Sequence, residues 1–414
     1  MWLMSPSLIN AARNSTGQTW AEHDIWDVLM ESYPSKMLPR RNTTHGTLCK
    51  VNLLIRGISK VDDMKMEYTI QLTLRQEWND DRLAFDDRGV HEYLTAPDPE
   101  KIWTPDLFFQ NEREGHAHSL MAPNVLLRLY RNGDIMKSSR ITLTLACPMD
   151  FHFFPMDRQV CEIRLASYGF TKDDLDLQWS TLGSSVQVAA GLNLPRFILN
   201  EVKTDTCTST TSTGVYACLK VSLFLERRWA YFLVHTYIPS IMMLFISWIS
   251  FWISPESTAP RIVLCMAPLF GLASIGTHVN DQVPQVSYTK ASDVWFGFCN
   301  ILLFSALVVA AIVNYRKRMD KLKETQQKDR MEYGRDFNLE AQHRLMGPSK
   351  SAPSGEEEEA VSKPKPKGRP CCFGRLCLPF DRVEKIDYLA RFLFPVIFLI
   401  FNIIYWPCYL SKYD

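Results

Sequence analysis

The stretch Cys147-Pro-Met-Asp-Phe-His-Phe-Phe-Pro-Met-Asp-Arg-Gln-Val-Cys161 places a cysteine at each end, with Asp150, Phe154, Pro155 and Asp157 between them. Around it, up to Arg228, the sequence is polar, alternating and rich in turn residues. Beyond Arg228 come long apolar runs separated by one charged insert. At 414 residues the chain exceeds one ordinary domain, so two or three units are expected. A net charge of +1 with 22% charged residues gives no basis for a nucleic-acid partner. Mean hydropathy of −0.12 is what a half-soluble, half-membrane chain averages to.

Four apolar spans set the topology: residues 229–253, 262–279, 294–313 and 392–410. At a rise of about 1.5 Å per residue, each is long enough to cross a hydrocarbon layer of about 30 Å. Buried core helices are the plainer reading of one such span; four in one chain argue against it. Arg316, Lys317, Arg318, Lys321 and Lys323 follow the third span directly, which puts its end in the cytoplasm. Four crossings then place both termini outside. The sequons at Asn14 and Asn42 agree, as candidate glycosylation sites. The opening residues lack the basic start and unbroken apolar stretch of a signal peptide, so the signal an outside half needs is expected to lie elsewhere. Between the third and fourth spans, Glu356–Glu359 and a Lys-Pro repeat read as a mostly disordered cytoplasmic loop. Cys371 and Cys372 there are candidates for palmitoylation or plain free thiols.

In the amino-terminal half, segments 50–56, 67–78 and 124–131 alternate apolar and polar residues, and Arg131-Asn132-Gly133-Asp134 marks a tight turn. About ten short strands with such punctuation argue a sandwich, preceded by an amphipathic helix near residues 22–30.

The segment from Cys147 to Cys161, with its Phe-Pro-x-Asp, resembles the signature loop of the Cys-loop pentameric receptors. That resemblance implies a Cys147–Cys161 disulfide, worth about 3 kcal/mol for a loop of this length, and contact of the loop with the membrane domain. Ile102-Trp-Thr-Pro-Asp-Leu-Phe-Phe-Gln-Asn-Glu112 and Val286-Ser-Tyr-Thr-Lys-Ala-Ser-Asp-Val-Trp295 resemble glycine- and glutamate-gated chloride channels. So does the pair Cys207 and Cys218, which implies a second disulfide and leaves Cys49 free. The implied fold class is an extracellular all-β sandwich plus an all-α four-helix transmembrane bundle, in a homo- or hetero-pentamer. The implied layout is a flexible start (1–17), an extracellular ligand-binding sandwich (18–228), helices one to three (229–314), a mostly disordered cytoplasmic loop (315–386), helix four (387–411) and a short tail (412–414). Partners would be four further subunits of the same or a related type, a small amino-acid agonist, chloride and the lipid membrane of a postsynaptic cell. No cofactor, catalytic residue or resident metal is expected, since GxSxG, HExxH and P-loop patterns are all missing.

For the agonist, the resemblance to glutamate-gated channels implies Arg56, Arg75 and Ser138 as carboxylate contacts. Planar guanidinium suits that task. Ser167 and Tyr168 would receive the ammonium, Tyr168 through its ring face, and Thr213 and Tyr216 complete the set. Glycine channels match Arg75 but not Arg56. Glycine, or pH or zinc acting on the same scaffold, therefore stand as alternatives. His116-Ala-His118 has zinc-ligand spacing on one strand face, with a solvated loop as the plainer reading.

On the second span, Val263, Ala267, Phe270, Ser274 and Thr277 recur at steps of three and four and share one face. The resemblance makes that face the pore lining, with Arg261 forming a ring at the cytoplasmic mouth that favours anions. Three features depart from the family pattern: the order Ala259-Pro260-Arg261, a mid-helix Pro268, and apolar Val263 and Ala267 where hydroxyls are usual. They raise the reading of an accessory subunit that does not conduct alone. Position 260 still lacks the glutamate typical of cation channels.

Overall fold

A computed structural model of the chain describes residues 22–39, 46–86, 90–181, 183–345 and 382–411. The expectations for residues 1–17 and 412–414, for Asn14 and Asn42, and for Cys371 and Cys372 lie outside the described residues. Contacts divide the chain into two compact units. The first is Met1–Tyr231 with Asn280–Ser292 and Tyr413–Asp414; the second is Phe232–Val279 with Asp293–Lys412.

The first unit opens with helix α1 (Glu22–Glu31), which buries Trp26 and Leu29. Among the described residues twelve strands follow, against about ten expected: β1 (Thr47–Asp62), β2 (Glu67–Asn79), β3 (Tyr93–Thr95), β4 (Leu107–Phe109), β5 (Glu112–Ala117), β6 (Val125–Tyr130), β7 (Asp134–Ala146), β8 (Arg158–Ser167), β9 (Leu175–Trp179), β10 (Val186–Val188), β11 (Phe197–Thr211) and β12 (Gly214–Arg227). An eight-stranded sheet runs β10-β1-β2-β7-β6-β3, with β5 on β7 and β9 on β1; a four-stranded sheet runs β11-β12-β8-β4. Strand alternation explains the sandwich. Val51, Leu53, Ile55, Ile70 and Leu72 are fully buried from the larger sheet, as are Leu219, Val221 and Leu223 from the smaller. The turn between β6 and β7 needs Gly133, whose φ is +80° and where any Cβ would meet the Asp80 carbonyl oxygen at 2.5 Å.

Two ties join the sheets. Cys147, just past β7, is bonded to Cys161 of β8. Arg227, at the end of β12, is 1% exposed and forks to two carboxylates. Its Nε and NH2 donate to Asp157 at 2.7 and 3.1 Å, and NH1 and NH2 donate to Asp63 at 2.8 and 3.1 Å. The Phe154 and Phe197 rings cover the guanidinium at 5.1 and 4.5 Å. Phe154 and Asp157 of the Phe-Pro-x-Asp motif are thus the aromatic lid and the counter-ion of one buried cation.

Among the described residues, the second unit holds four helices long and apolar enough to cross a membrane. Helix α2 (Ala230–Trp252) winds as a π-helix over Leu233–Tyr237, a widened turn that admits Pro239 and its missing N–H. Helix α3 (Thr258–Asn280) runs unbroken through Pro268. Helix α4 (Ala291–Leu345) is 55 residues long and continues helical past the expected end of the third span near 314. Its extension is rich in Lys, Glu, Gln, Arg and Met, good helix formers, and no proline appears until Pro348. Helix α5 (Arg382–Leu410) completes the set. Trp295 is its aromatic hub: it donates to Ser240 Oγ at 2.9 Å and lies 4.9 Å from Tyr237 and 5.2 Å from Tyr405.

Candidate functional site

The eight-stranded sheet brings three expected residues onto one face. Register sets Asn52 of β1, Arg75 of β2 and Ser138 of β7 side by side. Arg56 sits at a β-bulge, where pairing jumps from Ile55 to Gly57, and the bulge aims it along the same face. Its Nε donates to Thr73 Oγ1 at 2.7 Å, and Arg75 NH1 donates to Asn52 Oδ1 at 3.2 Å. Neither guanidinium has a carboxylate partner among the described residues. Arg140, opposite Thr73, adds a third guanidinium that sequence reading missed; it donates to Gln71 Oε1 at 3.3 Å while its Nε finds no acceptor. Its alternation with Ser138 was the available signal. A groove of about 550 Å³, bordered by Lys50, Glu77 and Met136, continues the face.

The smaller sheet gathers the remainder. Tyr168 is 78% exposed and stands edge-on to Phe108 at 5.6 Å, so one ring face is open to a ligand. Thr213, in the β11–β12 turn, and Tyr216 of β12 share a hydroxyl–hydroxyl hydrogen bond of 2.9 Å. Lys172 N–H donates to Val215 O at 2.8 Å, which ties that hairpin to the loop carrying Tyr168. Cys207 and Cys218, directly opposite in register, form the second disulfide, and Cys49 is free and buried.

Ser167 lies in the loop expected to receive the ammonium, with its side chain turned inward. It is 2% exposed, and its hydroxyl donates to Asp106 Oδ1 at 2.7 Å while accepting from Phe170 N–H at 3.0 Å. It locks the loop that presents Tyr168. No described hydrogen bond joins the arginine face to the tyrosine loops.

Two further expectations concern the Cys147–Cys161 loop and the histidine pair. Phe151 N–H donates to Tyr288 Oη at 3.0 Å, and the His152 ring stacks on Tyr288 at 3.9 Å. Ala291 and Ser292 N–H donate to the His152 and Phe154 carbonyls at 2.9 and 3.1 Å. The loop therefore holds the linker between α3 and α4. The His116 and His118 rings lie 5.3 Å apart, His118 Nε2 bonds Thr142 Oγ1 at 2.7 Å, and no group of three metal-ligand residues occurs among the described residues.

On α3, Val263, Ala267, Phe270, Ser274 and Thr277 are all exposed, an unpartnered stripe along one side. Arg261 is not part of it, which overturns the expected arginine ring. Its side chain is fully buried. NH2 pairs with Asp387 of α5 at 2.6 Å, and Nε donates to Ser250 O at 3.0 Å. Burial of an unpaired guanidinium is prohibitive, and Asp387 supplies the counter-charge.

A ligand-facing sandwich, a disulfide loop gripping a helix linker and four spanning helices define a ligand-gated channel subunit. Residues 22–229 match the family described as neurotransmitter-gated ion-channel ligand binding domain, and residues 236–370 match the neurotransmitter-gated ion-channel transmembrane region. The chain belongs to this family of pentameric neurotransmitter-gated ion channels. It is a plasma-membrane channel subunit with an extracellular ligand-binding domain, not an enzyme. It is 38% identical to a glutamate-gated chloride channel of Drosophila melanogaster over 442 aligned residues, covering 99% of this chain and 96% of the relative. It is 35% identical to a glutamate-gated chloride channel subunit beta of Haemonchus contortus over 414, covering 95% and 93%.

Proposed function

We propose that the chain is a subunit of a chloride channel opened by glutamate, bound where the arginine face of one subunit meets the tyrosine loops of the next. The observation that carries this is the pair Arg56 and Arg75, two guanidiniums on one β face, each held by a single neutral partner with no described counter-ion. A dicarboxylate supplies both missing charges, and a guanidinium binds each carboxylate through paired N–H bonds. Tyr168 then offers its open ring face to the ammonium, with Tyr216 and Thr213 closing over it. The named activity of both relatives supports the same ligand. With glutamate as agonist, a postsynaptic location follows.

Anion passage rests on a different feature than an arginine ring. The first turn of α3 carries no acidic residue, so its N-terminal N–H groups present positive potential unopposed. Glu256, the nearest carboxylate before it, is paired with Lys321 at 3.2 Å.

Glutamate concentration–response curves on the expressed chain test the agonist reading. Arg56→Ala and Arg75→Ala are each expected to weaken glutamate by about 2 kcal/mol, about 30-fold, as one partner of a charge pair is lost. Arg56→Lys does not restore it, since an ammonium lacks the planar fork. An unchanged response in Arg56→Ala, or opening by glycine or pH but never glutamate, overturns the reading. Current whose reversal follows sodium rather than chloride overturns the anion assignment.

A further inference from the structure

Asn52 is 5% exposed on β1 and lies directly opposite Arg75. Its Nδ2 donates to the carbonyls of Ser184 at 2.8 Å and Ser185 at 3.1 Å. Those two acceptors fix which end of the amide is which, because a flipped amide would set its oxygen against two carbonyl oxygens. Oδ1 is thereby presented to Arg75 NH1. The Ser184–Ser185 segment is itself held to β1: Leu53 N–H donates to Ser185 O at 3.0 Å, and Ser180 N–H to Val51 O at 2.9 Å. Ser185 Oγ closes the turn by donating to Ser180 O at 3.0 Å. A continuous set of hydrogen bonds thus runs from the edge of the sheet, through one amide, to one guanidinium nitrogen. The other guanidinium N–H groups remain for a ligand.

The neutrality of Asn52 has a reason. A carboxylate here would neutralise Arg75 and compete with the agonist, whereas an aliphatic side chain would leave the guanidinium free to swing. Thr73, 5% exposed, holds Arg56 in the same manner through its hydroxyl.

We infer that Asn52 is a positioning residue for the agonist: it sets the orientation of Arg75 and connects the Ser184–Ser185 segment to the carboxylate site. This rests on the reading of Arg75 as a carboxylate-binding residue. The test is a double-mutant cycle on purified full-length receptor, with glutamate dissociation constants taken from ligand-dependent thermal stabilisation, a readout that needs no conduction. Asn52→Ala is expected to raise the constant about tenfold in the wild-type background and to change it little in Arg75→Ala. Asn52→Asp is expected to be worse than Asn52→Ala, since the new carboxylate captures Arg75. A merely structural role predicts equal shifts in both backgrounds. Equal shifts, or no shift in Asn52→Ala while Arg75→Ala weakens binding, overturn the positioning role alone. If Arg75→Ala takes binding beyond measurable concentrations, Arg75→Lys replaces it in the cycle, with the same outcomes deciding. A wild-type receptor that glutamate does not stabilise, or an Arg75→Ala receptor stabilised as well as wild type, removes the agonist reading and the positioning role with it.

Discussion

Arg227→Ala removes the cation shared by Asp63 and Asp157 and leaves both carboxylates inside the sandwich. Four N–H···O bonds between 2.7 and 3.1 Å disappear, together with the stacking of Phe154 and Phe197. Asp157 keeps a bond from Gln159, and Asp63 keeps Arg196 at 3.7 Å, so neither carboxylate is wholly stranded. Breaking a buried pair costs about 3–5 kcal/mol, and the surviving partners place this case near the lower end. At about 2–4 °C per kcal/mol for a domain of this size, about 3 kcal/mol lowers the melting midpoint by about 10 °C. Arg227→Lys is intermediate, because one ammonium cannot fork to both carboxylates. The assay is gel filtration of detergent-solubilised receptor after stepwise heating, paired with surface labelling of intact cells. An Arg227→Ala receptor melting within about 2 °C of wild type, far below that expectation, would refute the argument.

Asp387→Ala strands Arg261 between helices; it is expected to cut surface receptor severely while leaving the chloride reversal potential of surviving channels unchanged, and a shifted reversal would return Arg261 to the pore. Burial, and next the Glu77 charge, push the Cys49 thiol up to about 12. The folded chain therefore holds a proton there that the unfolded chain loses above about pH 8.5. Stability falls as pH rises through that window, so Cys49→Ala flattens the alkaline loss seen in melting curves. Maleimide is expected to label Cys49 only after denaturation; labelling of the native receptor contradicts the burial. Tyr288→Phe deletes the hydroxyl that accepts from Phe151 and is expected to right-shift glutamate-evoked current with unchanged glutamate binding, a separation lost if Tyr288 only supports folding.

Much of this was legible in local pattern. The four spans show as unbroken apolar runs, the strands as alternation, and the stripe on α3 as steps of three and four. What escaped reading depends on partners distant in the chain. Arg261 looked like a pore charge because its counter-ion, Asp387, lies 126 residues away on another helix. Ser167 marks the loop expected to receive the ammonium, but that its hydroxyl is held by Asp106, 61 residues earlier, no local pattern shows. Asn52 and Thr73 resemble ordinary strand residues; only register shows which arginine each one touches. The extension of α4 went unread for another reason. Its charge suggested a solvated loop, whereas a run of good helix formers is helical here with its described side chains, up to residue 335, mostly exposed.

The bare stripe on α3 has a genetic consequence. A subunit altered at Phe270 is expected to fold and to join its neighbours, because that side chain is 65% exposed within its own chain. Where altered and unaltered copies mix freely in fivefold rings, only a small minority of rings escape carrying the altered one. Lesions on the stripe therefore act dominantly, poisoning rings built mostly of sound subunits. Lesions at Arg227 or Asp387 are expected to reduce how much of their own chain reaches assembly and leave most rings to sound copies, so they behave closer to recessively.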